Sequence, residues 1–425
     1  MDEEMNETPL RVGIVGAGQR GAGVYAEALA RRPSMARIVA VADPDEDRRE
    51  RLAARHEVPP EGRFDGWEAL LSAPRPPELL VVATPDTLHV APAQAALARG
   101  IHLLLEKPIA PTLSEVLALE DAAAKSSGTV TVAHVLRHAA FFATLRELLR
   151  AGRIGDLVGV DHVENVGHWH FAHSYVRGNW RRQDESSPMI LAKACHDLDL
   201  LRWLVDEPCE EVHSLGALHH FRPGNAPEGA TDRCLGGCAV ERRCPYSAIR
   251  IYLERFGGDA GWPNDVVAPG GGPGALLDAL REGPYGRCVY HGDNDQPDHQ
   301  VVSLRFAGGV TATLTVTAFS EENTRTIHLM GTHGEIRGHM AQGTLRLHDF
   351  AAGREEVVHV GSSLGHAAAD DTLVFDLLTR LRRGDGAGRT ALSASIDSHV
   401  MAFAAEASRR SGRPVRPDAL RPQVS

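Results

Sequence analysis

The sequence predicts an α/β protein, with a doubly wound parallel sheet in the N-terminal third and an α+β domain with an antiparallel sheet in the remainder. The chain has 425 residues, which is too many for one ordinary hydrophobic core. Short β-branched runs alternate with helical stretches up to residue 134, as in parallel sheets covered by helices. Later strand patterns instead leave one face polar. We therefore expect two domains, over residues 1–134 and 135–425.

The N-terminal elements can be placed in order along the chain. Buried strands are predicted at 11–15, 37–42, 79–83, 102–105 and 129–135. Helices are predicted at 22–31, 45–56 and 90–99, and several of them end at Gly or Pro. Because helices separate successive strands, the pattern indicates βαβ units with parallel strands.

The C-terminal part follows a different pattern. Strands of an antiparallel sheet are predicted at 157–163, 301–306 and 310–318, with Gly308 and Gly309 as a hairpin turn between the last two. Helices are predicted at 190–204, 371–382 and 395–410. Residues 222–298 are rich in Gly, Pro and Cys, which indicates an insertion into this domain.

Composition limits the classes of function. The formal net charge of −11 disfavours nucleic acid or an anionic membrane as the main partner. No apolar run reaches the ~20 residues of a transmembrane helix, and the first ten residues lack the pattern of a signal peptide. We therefore expect a cytoplasmic protein that acts on a small molecule.

A glycine-rich motif follows the first predicted strand. Gly16, Gly18 and Gly21 form G-x-G-x-x-G, with Gln19 and Arg20 inside it. Such glycines allow a tight turn, close approach of a pyrophosphate and tight packing of helix on strand. Asp43 ends the second predicted strand, where it can bind both ribose hydroxyls and would repel a 2′-phosphate. The motif predicts NAD binding; the alternative is a glycine turn with a solvated Asp.

Polar residues also end the third and fourth predicted strands. Thr84 and Pro85 follow the third strand, with His89 just beyond, and Glu106 and Lys107 follow the fourth. In open α/β sheets, ligands bind at the carboxyl ends of the strands. We therefore predict that both segments face the cofactor.

Together these motifs resemble the Gfo/Idh/MocA oxidoreductase family. The family spacing of G-x-G-x-x-G, T-P-x-x-x-H and E-K-P is met by residues 16–21, 84–89 and 106–108, and later segments at 153–157 and 331–336 are also similar. The resemblance implies a Rossmann domain followed by an α+β domain with a large, open-faced, mostly antiparallel sheet. It also implies that Lys107 lies beside the nicotinamide and contacts the reacting hydroxyl, while Glu106 and Pro108 fix its position.

The predicted helix at 190–204 carries the candidate acid/base. Lys193, His196 and Asp199 are spaced three apart, so they would share one helix face. The family places a histidine here, often followed three residues later by Asp, which implies His196 as acid/base and Asp199 as its orienter. The unperturbed pKa of histidine, near physiological pH, suits this role. The alternative is a core histidine bonded to Asp199.

One position departs from the family pattern. Many family dehydrogenases carry an Asp four residues before this histidine, where this chain has Ala192. Lys193, one position later, cannot simply replace an acid. The usual proton relay is therefore in doubt, which favours a variant reaction.

Residues 168–181 combine imidazole, aromatic and guanidinium side chains. Such groups suit a hydroxylated ring, since aromatic faces pack on C–H bonds and the polar groups bind hydroxyls. The candidates for substrate binding are His170, His173, Arg177 and Trp180, together with Lys193 and His196 from the next helix. An ordinary surface loop is one alternative. A His-x-x-His metal site is another, but it lacks an evident carboxylate.

Three cysteines lie close together in the predicted insertion. Cys234, Cys238 and Cys244 could be joined by Cys288 or Cys209 to hold a structural zinc or, with less support, an iron–sulfur cluster. We take Cys288 as the fourth ligand. The spacing is not that of a standard zinc finger, so buried free thiols remain the alternative.

The resemblance implies an NAD-dependent dehydrogenase that acts on CH–OH groups of inositol, a sugar or a related ring. It also implies a homodimer or homotetramer, because family members commonly associate through the second-domain sheet. One alternative is a redox-neutral, NAD-dependent glycoside hydrolase, lyase or epimerase on the same scaffold. Another is a non-catalytic dinucleotide-binding regulator, which would not need to retain Lys107 and His196.

Overall fold

The chain is divided into two compact units in a computed structural model that describes residues 8–259, 261–361, 367–385 and 388–421. The first unit comprises Met1–Arg150, Arg202–Leu204 and Val360–Val400. The second comprises Ala151–Leu201, Val205–His359 and Met401–Ser425. The domain boundary expected between residues 134 and 135 stays a prediction.

A six-stranded parallel sheet forms the centre of the first unit. Its strands are β1 (Leu10–Val15), β2 (Ala36–Ala42), β3 (Arg63–Phe64), β4 (Leu79–Val82), β5 (His102–Leu105) and β6 (Val130–Val132). They lie in the order β3-β2-β1-β4-β5-β6, and each neighbouring pair is parallel. This order reverses at β1 and β4, which confirms the predicted doubly wound sheet.

Helices connect these strands. They are Gln19–Ala26 (a π-type helix) with Glu27–Ala30, Glu46–Arg55, Trp67–Leu71, Val90–Leu97, Leu113–Ala124 and Ala140–Arg150. Two of them begin at a side-chain cap: Asp45 accepts a hydrogen bond from the N–H of Arg48, and Thr112 accepts one from the N–H of Glu115. The predicted strand at 129–135 is shorter than expected, because a 3₁₀ turn begins at Val135.

The first unit also contains residues from the far end of the sequence. Helix Ala367–Arg383 lies in this unit, and helix Leu392–Ser411 begins in it. The N–H of Val132 donates to the carbonyl of Thr390, and the N–H of Ile109 donates to Nε2 of His399 at 2.9 Å. These bonds satisfy backbone donors that follow β5 and lie in β6.

An eight-stranded sheet forms the centre of the second unit. Its strands are β7 (Leu157–Asn165), β8 (Cys209–Ala217), β9 (His299–Phe306), β10 (Thr311–Thr317), β11 (Thr324–Gly331), β12 (Gly334–His339), β13 (Thr344–Asp349) and β14 (Arg354–His359). The order is β14-β13-β12-β11-β7-β10-β9-β8. Strands β7 and β10 pair in parallel, and the other neighbours in the described sheet pair antiparallel, as predicted.

One face of this sheet is open. Buried and exposed residues alternate along the whole of β9, with Val302, Leu304 and Phe306 on the buried side. Val301 lies on the exposed side, and its partner on β8 is the exposed Leu215. The hairpin between β9 and β10 turns at Gly308, which has a φ of 77°. The open-faced sheet and this turn are both confirmed.

The remaining elements of the second unit are short. Helix His168–Phe171 continues as the π-type helix Ala172–Arg177, and Met189–Ala192 precedes Cys195–Val205. Within 222–298, the described helical segments are Pro223–Asn225, Glu241–Arg243, Arg250–Arg255, Asn264–Val267, Pro273–Glu282 and Pro284–Gly286. The C-terminal turn is Pro417–Leu420. Within the described ranges, no helix is both long and apolar enough to cross a membrane.

Candidate functional site

The glycine motif forms the turn after β1. Gly16 has a φ of 93°, and a Cβ there would lie 2.5 Å from the carbonyl oxygen of Ala83. A Cβ on Gly21 would overlap the carbonyl oxygen of Gly16. Both glycines are therefore required by the packing of the chain itself. Gly18 differs, since no atom lies within 4 Å of a Cβ placed on it.

The space beside Gly18 fits the cofactor that the motif predicts. The chain's own packing does not require glycine at this position, whereas the close approach of a pyrophosphate does. The motif also leads directly into the helical segment Gln19–Ala26, whose first N–H groups suit an anion. The residues present therefore fit a dinucleotide.

Asp43 connects the end of β2 to the glycine motif. Its Oδ2 accepts a hydrogen bond from the N–H of Ala17 at 2.6 Å, and its Oδ1 accepts one from the N–H of Asp45 at 2.9 Å. The carboxylate is thus held at the carboxyl end of the strand, where the fold binds a ribose. Ribose binding by Asp43 stays a prediction.

Arg20 belongs to a buried charge network. Its guanidinium pairs with the carboxylate of Glu106, donates to the hydroxyl of Tyr25 at 2.7 Å and contacts Asp370 Oδ1 at 2.7 Å. The network thus joins the glycine motif, the end of β5 and the late helix Ala367–Arg383. Tyr25 and Asp370 were not predicted from the sequence, because nothing local marks them as partners of Arg20.

Glu106 is held as a carboxylate by this network. Burial would raise its pKa, but Arg20, Lys107 and the Tyr25 hydroxyl outweigh burial and lower the pKa to about 2. Its Oε2 also accepts a hydrogen bond from the backbone N–H of Lys107 at 2.9 Å. Glu106 therefore fixes the backbone of Lys107, which is half-buried at the end of β5.

His89 ties together the segments that follow β4 and β5. Its imidazole is buried, with Nδ1 2.7 Å from the carbonyl oxygen of Pro108 and Nε2 2.9 Å from that of Thr84. Pro85 comes directly before the 3₁₀ turn Asp86–Leu88 that leads to this histidine. The structure therefore gives His89 a positioning role; cofactor contacts by Thr84, Pro85 and His89 stay predictions.

The predicted helix at 190–204 is interrupted. Met189–Ala192 ends before Lys193, and Cys195–Val205 begins two residues later. The prediction of one continuous helix is wrong at this point, so Lys193 precedes the helix that carries His196 and Asp199. Both of these side chains are buried. Their roles as acid/base and orienter stay predictions.

A buried charge cluster lies beside the start of this helix. Asp197 accepts hydrogen bonds from Nε of Arg325 at 2.7 Å and from Nε2 of His162 at 2.8 Å. Glu164 Oε2 lies 2.6 Å from Arg325 Nη2, and its Oε1 lies 3.2 Å from Lys193 Nζ. The cluster therefore holds the residue next to His196 and the ammonium of Lys193.

Burial and neighbouring charge shift the pKa of Asp197, Arg325 and Lys193 in this cluster. Burial opposes charge at Asp197 and at Arg325, but their mutual attraction lowers the pKa of Asp197 and raises that of Arg325. For Lys193 burial dominates: it lowers the pKa, and Glu164 opposes this only in part. Lys193 is thus more ready to lose a proton than an exposed lysine.

This cluster was missed in the sequence, although one signal was present. Val160, His162 and Glu164 occupy the buried side of β7, so two polar residues stand at positions that a strand pattern reserves for the core. Buried polar groups on a strand require partners. The partners, Asp197 and Arg325, are far away in the sequence, which is why the pattern alone does not identify them.

The residues predicted to bind substrate lie in different environments. His170 packs on Trp169 and on Trp262, while His173 stacks on Tyr285 and places Nδ1 2.8 Å from the Tyr252 hydroxyl. Burial lowers the pKa of His173 to about 3, with Arg177 acting in the same direction. His173 is therefore a neutral, packed side chain, and its role in substrate binding stays a prediction.

Arg177 and Trp180 have other surroundings. The Arg177 guanidinium donates to the carbonyls of Arg287 and Tyr246 and lies 3.7 Å from Cys234 Sγ. Trp180 is half-buried, and its carbonyl accepts a hydrogen bond from the side chain of Gln296. Arg177 thus contacts the Cys-rich segment, and substrate binding by either residue stays a prediction.

The cysteines of the insertion converge on one cavity. Cys234, Cys238, Cys244 and Cys288 all line a cavity of ≈ 20 Å³, whereas Cys209 lies outside it, on β8. All six cysteines of the chain are free. Among the described residues, no group of three or more His, Cys, Asp or Glu side chains could hold a metal ion as the side chains stand. The predicted zinc is therefore without support in this arrangement.

Comparison with known families matches both parts of the chain. Residues 10–134 match the model of the GFO_IDH_MocA oxidoreductase family described as an NAD-binding Rossmann fold. Residues 146–416 match the model of the C-terminal alpha/beta domain of the same family. Together the two models cover nearly the whole chain.

The individual relatives and solved structures include dehydrogenases and a hydratase. Inositol 2-dehydrogenase 4 of Saccharopolyspora erythraea is 33% identical over 54% of this chain and 62% of its own length. The 2,7-anhydro-N-acetylneuraminate hydratase of Escherichia coli (strain K12) is 29% identical over 63% of this chain and 68% of its own length. A levoglucosan dehydrogenase, solved with NADH and levoglucosan, has a TM-score of 0.71 at 19% identity and covers 96% of this chain and 99% of its own. The last comparison concerns the fold alone.

Proposed function

Since the chain belongs to the Gfo/Idh/MocA oxidoreductase family, we propose that it is an NAD-dependent dehydrogenase that oxidises or reduces a ring carbinol carbon of a sugar, a sugar derivative or a cyclitol. NAD binding is supported by one observation in particular. The space beside Gly18 is open, although the other two glycines of the motif are required by packing. The substrate class is supported by the name of a relative, an inositol 2-dehydrogenase that is 33% identical over 54% of this chain.

Several residues of the first unit would hold NAD. The turn at Gly16, Gly18 and Gln19 would bind the pyrophosphate, with Arg20 stabilising the turn through Glu106 and Asp370. Asp43 would bind the ribose hydroxyls. When bound, NAD supplies the acceptor or donor of a hydride at its nicotinamide ring.

Lys107 is proposed to act on the substrate oxygen. An ammonium can stabilise the alkoxide that develops when the hydroxyl loses its proton. Such stabilisation depends on a fixed position, because the donor must be in place before charge develops. The hydrogen bond from the Lys107 N–H to Glu106, at 2.9 Å, supplies that fixation at the backbone.

His196 is proposed to exchange the hydroxyl proton, with Asp199 orienting its imidazole. A positioned histidine suits this role because it can bind or release a proton near neutral pH. The buried pairing of Asp197 with Arg325 and His162 supports the proposal, since it anchors the residue next to His196. Substrate contacts are proposed for Lys193, His170, His173, Arg177 and Trp180.

A redox-neutral reaction is the second candidate, and Ala192 is the observation that favours it. The acid that many family dehydrogenases carry at this position is absent, and the neighbouring Lys193 is paired with Glu164. A relative named as a hydratase adds support. In such a reaction the sugar is oxidised and later reduced again, so no net NADH accumulates.

The deciding experiment measures net reduction of NAD by the purified chain. The expected result is growth of NADH absorbance with NAD and at least one member of a panel of inositols, aldoses and anhydrosugars. Lys107→Ala and His196→Ala should each lower the rate by about 10²–10⁴-fold, the range for positioned proton-transfer groups. Lys125→Ala is the matched control, because Lys125 is exposed and pairs with Asp121.

The other outcomes separate the alternatives. Consumption of an anhydrosugar or a glycoside without net NADH would replace the dehydrogenase proposal by redox-neutral chemistry. Binding of NAD with no substrate consumed across the panel would instead indicate a regulator. The cytoplasmic location expected from the composition stays a prediction.

A further inference from the structure

We propose that Lys193 exchanges a proton with His196 during turnover and that Glu164 holds the Lys193 side chain for this role. This role rests on the proposed function and deepens it, because it makes Lys193 a proton carrier and not only a contact for the substrate. Three observations support it: the balance of charge in a buried cluster, the exposure of its members, and the choice of lysine. The cluster comprises Glu164, Lys193, Asp197 and Arg325.

The charges of this cluster leave one proton that can come and go. Glu164 and Asp197 supply two carboxylates, and Arg325 pairs with them at 2.6 and 2.7 Å. A guanidinium keeps its proton in proteins, so Arg325 balances one of the two negative charges permanently. The ammonium of Lys193, 3.2 Å from Glu164 Oε1, balances the second. A neutral Lys193 would leave one negative charge unbalanced, so the cluster favours the return of a proton to this amine.

Exposure distinguishes Lys193 from its neighbours. The side chains of Glu164, Asp197 and the adjoining His162 are 0% exposed, and that of Arg325 is 6% exposed. The side chain of Lys193 is 12% exposed, the largest fraction in the cluster. A group that exchanges protons during turnover needs a route to a partner outside its own ion pairs. Lys193 is therefore the member of the cluster from which a proton can leave.

The choice of lysine is unusual for this chain. Of its 45 lysines and arginines, three are lysines, so arginine is the ordinary cation of the sequence. Arginine also suits a permanent buried ion pair better, because it is always charged and can bind a carboxylate through two parallel donors. Lysine differs in that a buried ammonium can release its proton, as general-base lysines do. Lys193 thus has a property that a purely structural partner of Glu164 would not need.

The surroundings of Lys193 favour the neutral amine more than water does. Burial has the largest influence and lowers its pKa; Glu164 and Asp197 act to raise the pKa, and Arg325 acts to lower it. His162 is a further titratable group at the cluster, and its Nε2 lies 2.8 Å from Asp197. The net shift is downward, so Lys193 can alternate between amine and ammonium closer to neutral pH than an exposed lysine.

Lys193 lies next to the helix that carries His196. Met189–Ala192 ends directly before Lys193, and Cys195–Val205 begins two residues after it. Asp197, which directly follows His196 in that helix, contributes to the charge around Lys193. The ammonium therefore interacts with the residue next to His196, at the start of the same helix.

The exchange balances in protons and electrons. In the oxidation, the substrate hydroxyl loses its proton to His196, while the carbon gives up its hydride to the cofactor. The proton then moves from His196 to the neutral amine of Lys193, which becomes an ammonium paired with Glu164. In the reduction the proton returns by the reverse steps. His196 is thereby restored to its neutral form for the next turnover.

The test measures turnover of the full-length chain with NAD and the panel of inositols, aldoses and anhydrosugars, by NADH absorbance or by substrate consumption. Lys193→Arg keeps a cation beside Glu164 but cannot release a proton, so kcat should fall by about 10²–10⁴-fold at unchanged NAD affinity. Lys193→Ala should lose a similar factor and regain rate with added methylamine, in proportion to the neutral amine. Lys125→Arg is the matched control and should keep the wild-type rate, because Lys125 is exposed.

A second measurement uses the wild type alone and covers the case in which the variants fail to fold. Competitive acetylation followed by mass spectrometry gives the titration of each of the three lysines. One limb of the dependence of kcat on pH should coincide with the titration of Lys193, with oxidation becoming faster as the amine loses its proton. The titration of Lys125 should coincide with neither limb.

The outcomes separate this role from the proposed function itself. Lys193→Arg at the wild-type rate, or a pH profile without a limb at the titration of Lys193, overturns the role of Lys193 and leaves the dehydrogenase proposal in place. A wild type that converts no member of the panel, with neither NADH formed nor substrate consumed, contradicts the proposed function and the role of Lys193 with it.

Discussion

The chain contains three lysines, and the structure gives each a different environment. Lys125 is exposed beside Asp121, Lys107 is half-buried at the end of β5, and Lys193 is buried beside Glu164. Ammonium groups respond strongly to burial and to neighbouring charge. At the residue scale, the three lysines therefore report on three different environments.

The pKa of Lys193 is predicted to lie below that of an ordinary lysine. Burial lowers it and Glu164 opposes the change, so Glu164→Gln should lower the pKa of Lys193 further. Reductive methylation with ¹³C followed by an NMR titration would resolve the three side chains. Asp121→Asn is the control, since it should leave the Lys193 titration unchanged. A Lys193 pKa that stays the same or rises in Glu164→Gln would contradict the prediction.

At the scale of elements, the glycines of the turn after β1 have two different roles: some are required for folding, and one is proposed to serve ligand binding. Gly21 is confined by the backbone of Gly16, whereas the space beside Gly18 is open. Alanine at Gly18 should therefore affect ligand binding and not stability, whereas alanine at Gly21 should affect stability.

Gly18→Ala is predicted to keep the melting temperature and to weaken NAD binding, because the added methyl meets no protein atom but enters the space proposed for the pyrophosphate. Gly21→Ala should lower the melting temperature or prevent folding, because its methyl overlaps the Gly16 carbonyl. Calorimetry for NAD affinity and thermal unfolding for stability are the measurements. Unchanged NAD affinity in Gly18→Ala would argue against the proposed position of the cofactor.

Local patterns predicted the elements that bear the motifs. Strands β1, β2, β4 and β5 lie within one or two residues of their predicted bounds, because each is a short apolar run closed by a polar or glycine turn. The two-residue β3 was missed, since so short a strand has no periodicity. The break at Lys193 was missed as well, because apolar spacing on both sides of it resembles one helix.

The candidate site could be predicted only in part, and for a physical reason. Motif residues such as Gly16 and Lys107 are marked by their position at strand ends. Arg20 and Asp370, or Glu164 and Arg325, are instead joined by ion pairs between distant segments. Such pairs depend on tertiary packing, which a local pattern does not contain.

At the scale of the whole molecule, the open face of the second sheet is a candidate interface between copies of the chain. Leu215 on β8 is 63% exposed and Val301 on β9 is 41% exposed, and the two are paired across the strands. Adjacent exposed apolar side chains on the open face of a sheet favour association. Homodimers or homotetramers, expected from the family resemblance, are proposed to use this face.

Sedimentation analysis of the oligomeric state tests this proposal. The wild type should sediment as a dimer or tetramer, and Leu215→Glu combined with Val301→Glu should shift it toward the monomer by at least about tenfold in dissociation constant, as burying charges disfavours association. Phe350→Glu is the matched control, since Phe350 is also exposed but lies in the turn after β13. A monomeric wild type would exclude the proposal.

The late segment of the first unit bears on the order in which the chain can fold during synthesis. Arg20 meets Asp370, and the N–H groups of Ile109 and Val132 meet His399 and Thr390. A ribosome produces these partners only after the whole of 205–359 has been made. The cofactor-binding unit, although translated first, is therefore completed only after most of the second unit has been made. A nascent chain that stops at residue 150 leaves the half-buried Arg20 without Asp370, one of its two carboxylate partners.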